Sequence, residues 1–411
     1  MKPLEPLKPL EPLEPLKPLK PFELLELPYL YPHSIFMNKD LKTFFQNRPQ
    51  LILRLLLFTW VITKWICFPL WLADRNFPTA PLWDGLLNLP LYWHAVLFYF
   101  SLVLMLVYII FPNKKIIPIL LLLEILSCLL DQNRWQPWEY QFIFMLAAYV
   151  FLKTEEHIYT AWQIILVGLY FFSGLSKLNA TFIHDIWYNV ILRRWLHIIT
   201  DNLLLVRLGY LLPLIEMGAA LLLCIPRFRK PGLFILMGMH LFILVFIGPL
   251  GLNFNKAVWP WNILLFCLLP LLFYKRALMP GKSFIAKPFS WLVIACFWLL
   301  PWGHLVGRWD HYLSFTLYSG GMPQFYICSN DNATLIKLSS HLGKVTNDKI
   351  PCLFPVNTYG WALKELTVPP YPQKNTYRRL ARQWIKEYPG ANFHFYIYYP
   401  GFKTRVEELL P

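Results

Sequence analysis

From about residue 50 to residue 305 the chain is a succession of long apolar stretches, broken by short polar or proline-containing segments. Spans are expected near residues 51–73, 91–112, 116–131, 138–153, 160–177, 204–225, 231–249, 257–274 and 287–304. A perpendicular crossing needs roughly 20 apolar residues, so several are short and the count of nine is open by one or two. A lipid phase is the solvent that fits them, because a helix satisfies its own backbone there. Water would require far more charge than the chain has. Hydrophobic residues make up 57%, charged residues 15%, and mean hydropathy is +0.43. The formal charge of +15 does not point to nucleic acid, since the lysines and arginines lie mostly in loops rather than along a stripe on a large polar domain.

Alternate loops and span ends carry thirteen Lys and Arg on the side of the N-terminus and eight on the other. The excess predicts a cytoplasmic N-terminus. With nine spans, the polar segment after residue 304 then lies outside the cytoplasm, where Cys328 and Cys352 could form a disulfide; an even count would reverse that placement. The other cysteines lie in or beside apolar runs, and no pair has C-x-x-C spacing, so no zinc or thioredoxin-like motif is indicated.

Three regions follow: a low-complexity arm over 1–49, an apolar helical region over 50–305 and an extramembrane region over 306–411. The arm opens with a three-residue repeat, KPLEPLKPLEPLEPLKPLKPF, over residues 2–22. Proline every third residue excludes a regular helix and favours extended polyproline II or disorder, and the repeat lacks the continuous apolar core of a signal peptide. In the C-terminal region, residues 333–340 and 392–399 read as strands. Residues 376–388 read as a helix with Leu380, Trp384 and Tyr388 four apart. A small α+β module resting on the helices is expected, because the aromatics of 392–399 need cover.

Ionisable residues inside apolar spans cost roughly 2.5–3.5 kcal/mol each at the bilayer centre, which makes Lys64, Glu124, Lys177, Glu216 and His240 candidates for function. Lys64 and Glu124 could pair or snorkel. Glu216 and His240 could pair as a proton relay or make helix-packing hydrogen bonds. In LYFFSGLSKLNATF (169–182), Gly174 would admit a close neighbouring helix while Lys177 emerges at the extracytoplasmic interface, either as an anchor or as a lysine kept neutral by desolvation.

This last segment resembles the Tyr-Phe-x-x-Gly-x-x-Lys-Leu-Asp/Asn-Ala stretch of the vitamin K-dependent gamma-carboxylase-like (HTTM) membrane protein superfamily. The segment IWYNVILRRWL (186–196) is similar to that family's amphipathic continuation. LLDQNRWQPWEYQF (129–142) resembles a second family segment through Leu130, Asp131, Trp135 and Tyr140, with Trp138 where the carboxylase has a histidine. A tryptophan cannot exchange protons near neutral pH, so the carboxylase reaction itself is in question. The stretches at 239–266 and 309–327 resemble bacterial members more weakly.

The resemblance implies an all-α multi-pass helical bundle with a small α+β polar C-terminal domain, in a bacterial inner membrane. It implies Lys177 as the base toward a reduced quinone, menaquinol-like, or a lipid-like substrate. Asp131 and Arg134 would be positioning groups, Glu216 and His240 supporting partners, and Trp135, Trp138, Tyr140 and Tyr170 would lie against the cofactor. The alternative is a non-catalytic accessory protein that binds lipid or quinone, or belongs to a redox or export assembly. No convincing inverted repeat supports a transporter.

Overall fold

The computed structural model describes residues 48–329, 349–352, 355–401 and 404–411. The repeat at 2–22 and the strand expected at 333–340 lie outside the described residues. The described residues form one compact unit.

The structure is mostly helical. Each of the nine apolar stretches contains a helix: α1 (Arg48–Ile66), α2 (Tyr92–Ile110), α3 (Ile116–Leu130), α4 (Pro137–Phe151), α5 (Glu155–Ser176), then α6 (Phe182–Trp195) in a connection, α7 (Leu203–Leu222), α8 (Arg229–Ile247), α9 (Val258–Phe273) and α10 (Pro288–Val306). Six of them, α1, α2, α5, α7, α8 and α10, are long and apolar enough to cross a membrane. The other three are short, as the sequence led one to expect of several stretches. At 15, 15 and 16 residues, α3, α4 and α9 rise only about 22–24 Å at 1.5 Å per residue, against a hydrocarbon core of about 30 Å. The region 116–153 divides because Asp131 caps a short turn and Pro137 starts the next helix at its first turn, where its missing N–H costs nothing.

The apolar faces are unequally covered. Helix α5 is the central one, with 78% of its apolar window buried, whereas α7, α8 and α10 bury 28%. Large side chains such as Phe234, Leu241 and Val245 on α8 stand exposed, an arrangement that water does not favour.

After α10 the chain builds a four-stranded antiparallel sheet of order β2-β1-β3-β4, from β1 (Gln324–Ser329), β2 (Val356–Asn357), β3 (Phe393–Tyr399) and β4 (Arg405–Glu408). Two helices, α11 (Thr358–Leu366) and α12 (Lys374–Glu387), accompany it. The helix expected at 376–388 and the strand at 392–399 are present. Strand β3 is internal: Phe325 stacks on its Phe395, the α12 side chain Trp384 packs on its Phe393, and Tyr377 of α12 covers Phe325 in turn. Strands β1, β2 and β4 and helix α11 were not anticipated, although the Gln-Phe-Tyr-Ile run after Pro323 carries an aromatic, β-branched signal. Cys328 on β1 and Cys352 form a disulfide with a Cα–Cα separation of 6.1 Å.

This sheet module rests on one end of the helices. Glu365 Oε1 accepts from the Asn76 and Phe77 amides at 2.6 and 3.1 Å, Gln136 Nε2 donates to Pro369 O at 3.0 Å, and Asn179 Nδ2 donates to Ser319 O at 3.0 Å. These partners follow α1, precede α4 and follow α5, so helix ends of alternating direction meet the module. Beside this junction, Asp310 Oδ2 accepts from the Tyr371 hydroxyl at 2.6 Å, and His311 packs near His304.

Burial, reinforced by His304, lowers the His311 pKa to about 4. A folded-state pKa below the unfolded value of about 6.5 means that the unfolded chain takes up a proton first as pH falls. The stability His311 contributes is therefore fully present above about pH 6.5 and is lost progressively down to about pH 4. Thermal melts at stepped pH should show that loss, and His311→Gln should flatten the curve within the window.

Candidate functional site

A mostly apolar cavity of about 520 Å³ opens among α6, α7 and α8. Ile186, Val190 and Ile191 of α6, Leu212 and Ile215 of α7, and Leu236, Phe242, Ile243 and Phe246 of α8 form its walls. Its charged lining consists of Lys177, Glu216 and Arg194, and the sheet module adds Tyr318 and Tyr359. Burial pushes the Tyr359 phenol up to about 12 and that of Tyr318 well above its ordinary range, so both present neutral hydroxyls.

Gly174 explains how the charged pair forms. A Cβ there would lie 2.7 Å from Pro213 O and 3.0 Å from Met217 N, so the missing side chain lets the α7 backbone touch α5. Lys177, one helical turn further on, then faces Glu216. Its Nζ donates to Glu216 Oε2 at 2.7 Å and to Ser173 Oγ at 2.6 Å. The side chains are only 16% and 8% exposed, so the pair is shielded but reaches the cavity. Ser173, four residues before the lysine and on the same helix face, went unnoticed in the sequence, as did the cavity positions of Arg194, Tyr318 and Tyr359. The only local signal was the Arg-Arg pair at the end of the amphipathic α6.

The Glu216–His240 pairing considered from sequence does not occur. Glu216 is engaged by Lys177, while His240 Nε2 meets the Tyr170 hydroxyl at 2.7 Å and His240 Nδ1 meets Asn262 Oδ1 at 2.9 Å. Asn262 Nδ2 donates to Val258 O at 2.8 Å, which orients its amide oxygen toward the ring. The imidazole therefore carries its proton on Nδ1 and accepts from Tyr170. This chain of hydrogen bonds is buried beside the cavity and does not line it.

The second segment, 129–142, lies elsewhere and builds scaffold. Asp131 Oδ1 accepts from the amides of Ala80 and Asn133 at 3.0 and 3.1 Å and from Asn133 Nδ2 at 2.9 Å, while Oδ2 pairs with Arg75. Burial alone would raise the Asp131 pKa, but Arg75 and Arg134 outweigh it and hold the carboxyl below its ordinary value. Arg134, fully buried, donates to Leu70 O, Trp71 O, Ser127 O, Ser127 Oγ and His94 Nδ1 at 2.8–3.1 Å. Trp138 is sealed against Trp261, Trp135 packs at the Tyr140 edge, and Tyr140 stacks on Phe297. None of Asp131, Arg134, Trp135, Trp138, Tyr140, Tyr170 or His240 lines the cavity, so the expected constellation reduces to Lys177 and Glu216 there. The resemblance had grouped residues that the fold separates.

Among the described residues, no three His, Cys, Asp or Glu side chains gather as a metal site. Comparison of this chain with family models, curated proteins and solved structures returns no match.

Proposed function

We propose that the chain is an integral membrane protein that takes a long apolar molecule with a small polar head, of the reduced isoprenoid quinone class, into the cavity beside Lys177. The observation that carries this reading is an ion pair, with Arg194 and two tyrosine hydroxyls, in the wall of a mostly apolar space of about 520 Å³. Such a shape suits a chain-bearing ligand whose tail replaces lipid contacts and whose head meets Lys177, Arg194 and the tyrosine hydroxyls. The same residues support the carboxylase-like (HTTM) assignment, because its glycine and lysine fall where two helices touch at the cavity.

In this reading all nine helices cross or enter a bacterial inner membrane, the shorter three within the bundle. The N-terminus is cytoplasmic and the sheet module lies outside, where its disulfide is stable. A bound quinol would exclude water, and in a low dielectric the ammonium–carboxylate pair loses solvation. Transfer of the lysine proton to Glu216 leaves a neutral amine. Lys177 Nζ would then accept a proton from a ligand hydroxyl, and Arg194, in the same wall, would be the residue placed to balance the negative charge left behind. The second reading, binding without catalysis, is favoured by Trp138 occupying the position where the resembled carboxylase has its histidine.

Gly238 tests the site. It lines the cavity, and a Cβ there would meet nothing within 4 Å, so Gly238→Phe starts from open space and carries its ring into the cavity. Its affinity for a short-chain menaquinol analogue, read by tryptophan quenching, should fall by about tenfold or more, roughly 1.4 kcal/mol, with an unchanged melting temperature. Wild-type binding by this variant would remove the cavity as the site. Lys177→Ala separates the two readings: quinol consumption by wild type that the variant loses while binding is retained supports a base, and quinol binding by wild type without any consumption supports a binding protein.

A further inference from the structure

Helices α1, α3 and α4 bring three ionisable side chains together in the sealed interior: Lys64, Glu124 and Glu139, all 0% exposed. Lys64 Nζ donates to Glu124 Oε2 at 2.7 Å and sits 3.5 Å over the Trp71 ring. Trp60 Nε1 donates to Glu139 Oε2 at 2.7 Å. One oxygen of each acid is thereby satisfied. The other two, Glu124 Oε1 and Glu139 Oε1, are buried with no donor, and both acids belong to one sealed cluster, because Lys64, bonded to Glu124, lies 5.8 Å from the ring centroid of the Trp60 that holds Glu139.

Two adjoining carboxylates in a dry interior cannot both stay ionised, and a buried acceptor without a donor costs about 1–3 kcal/mol. A single proton between the two free oxygens removes both penalties. It also balances the cluster, which otherwise holds two negative charges against one ammonium. The other fully buried cation, Arg134, is committed to backbone carbonyls, Ser127 and His94.

We infer that Glu139 and Glu124 form a proton-binding site in the helix interior, with the proton on Glu139 Oε1 and donated to Glu124 Oε1. The assignment follows from the partners: Glu124 faces the full charge of Lys64 and keeps the negative charge, whereas Glu139 faces only the neutral indole N–H. Neither acid lines the cavity beside Lys177, so this site is separate from the proposed ligand site. Loss of its proton changes the charge of the core by one. It is therefore a point at which helix rearrangement and proton uptake would be coupled.

The test is infrared spectroscopy of the full-length protein in detergent. Wild type should show a carboxylic-acid C=O band that persists at about pH 8, far above the ordinary glutamate value of about 4.3. Glu139→Gln, whose amide can donate to Glu124 and accept from Trp60, should fold as wild type and lose that band, while the exposed Glu387→Gln should retain it. Persistence of the band in Glu139→Gln would overturn the assignment. Should that variant fail to accumulate, wild type labelled with carboxyl-¹³C glutamate decides alone: one protonated glutamate signal at about pH 8 supports the site, and glutamates that are all ionised refute it.

Discussion

Replacing Arg134 with methionine is expected to destabilise the protein by about 3–5 kcal/mol, the range for removing one partner from a buried charged network. The substitution removes no cavity contact, so its effect should appear in folding before ligand binding. The guanidinium satisfies the carbonyls of Leu70, Trp71 and Ser127, together with Ser127 Oγ and His94, and no water can replace it in a fully buried position. Each abandoned carbonyl costs about 1–3 kcal/mol. It would also leave Asp131 with Arg75 as its remaining nearby cation. Arg134→Lys should recover only part of the loss, since a compact ammonium cannot reproduce a planar fork with donors on three sides. Thermal melts of purified variants provide the check, and a melting temperature for Arg134→Met equal to that of wild type would contradict this account.

Gly174→Leu is expected to cost about 1–3 kcal/mol and to abolish the Lys177–Glu216 contact. The opposing atoms, Pro213 O and Met217 N, are backbone and cannot rotate away, so α5 and α7 must part. Separation moves Glu216 out of reach and opens the cavity wall, so affinity for the quinol analogue should fall with stability. Gly238→Ala is the matched control. It adds a methyl group to open space and should change stability by less than about 0.5 kcal/mol. Equal behaviour of the two variants would mean that the close approach at residue 174 does not govern the site.

The apolar length and spacing of the chain were enough to place helices at all nine stretches, the amphipathic α12 and the aromatic strand β3, because those properties act within a few residues of one another. Gly174 and Lys177 were legible for the same reason, lying three apart on one helix face. Glu216 was recognised as unusual, but its partner was not, since the rotation of α7 against α5 decides between Lys177 and His240 and no local spacing encodes it. The same limit applies to Asp131 and Arg134: a buried carboxylate and guanidinium look alike in sequence whether they hold a substrate or tie loops together. Only tertiary packing assigned them to the tie, set Tyr318 and Tyr359 against the cavity, and sealed Glu139 with Lys64 and Glu124. Hydrophobicity acts along the chain, whereas charge pairing in a dry interior depends on which helices come within about 3 Å of one another.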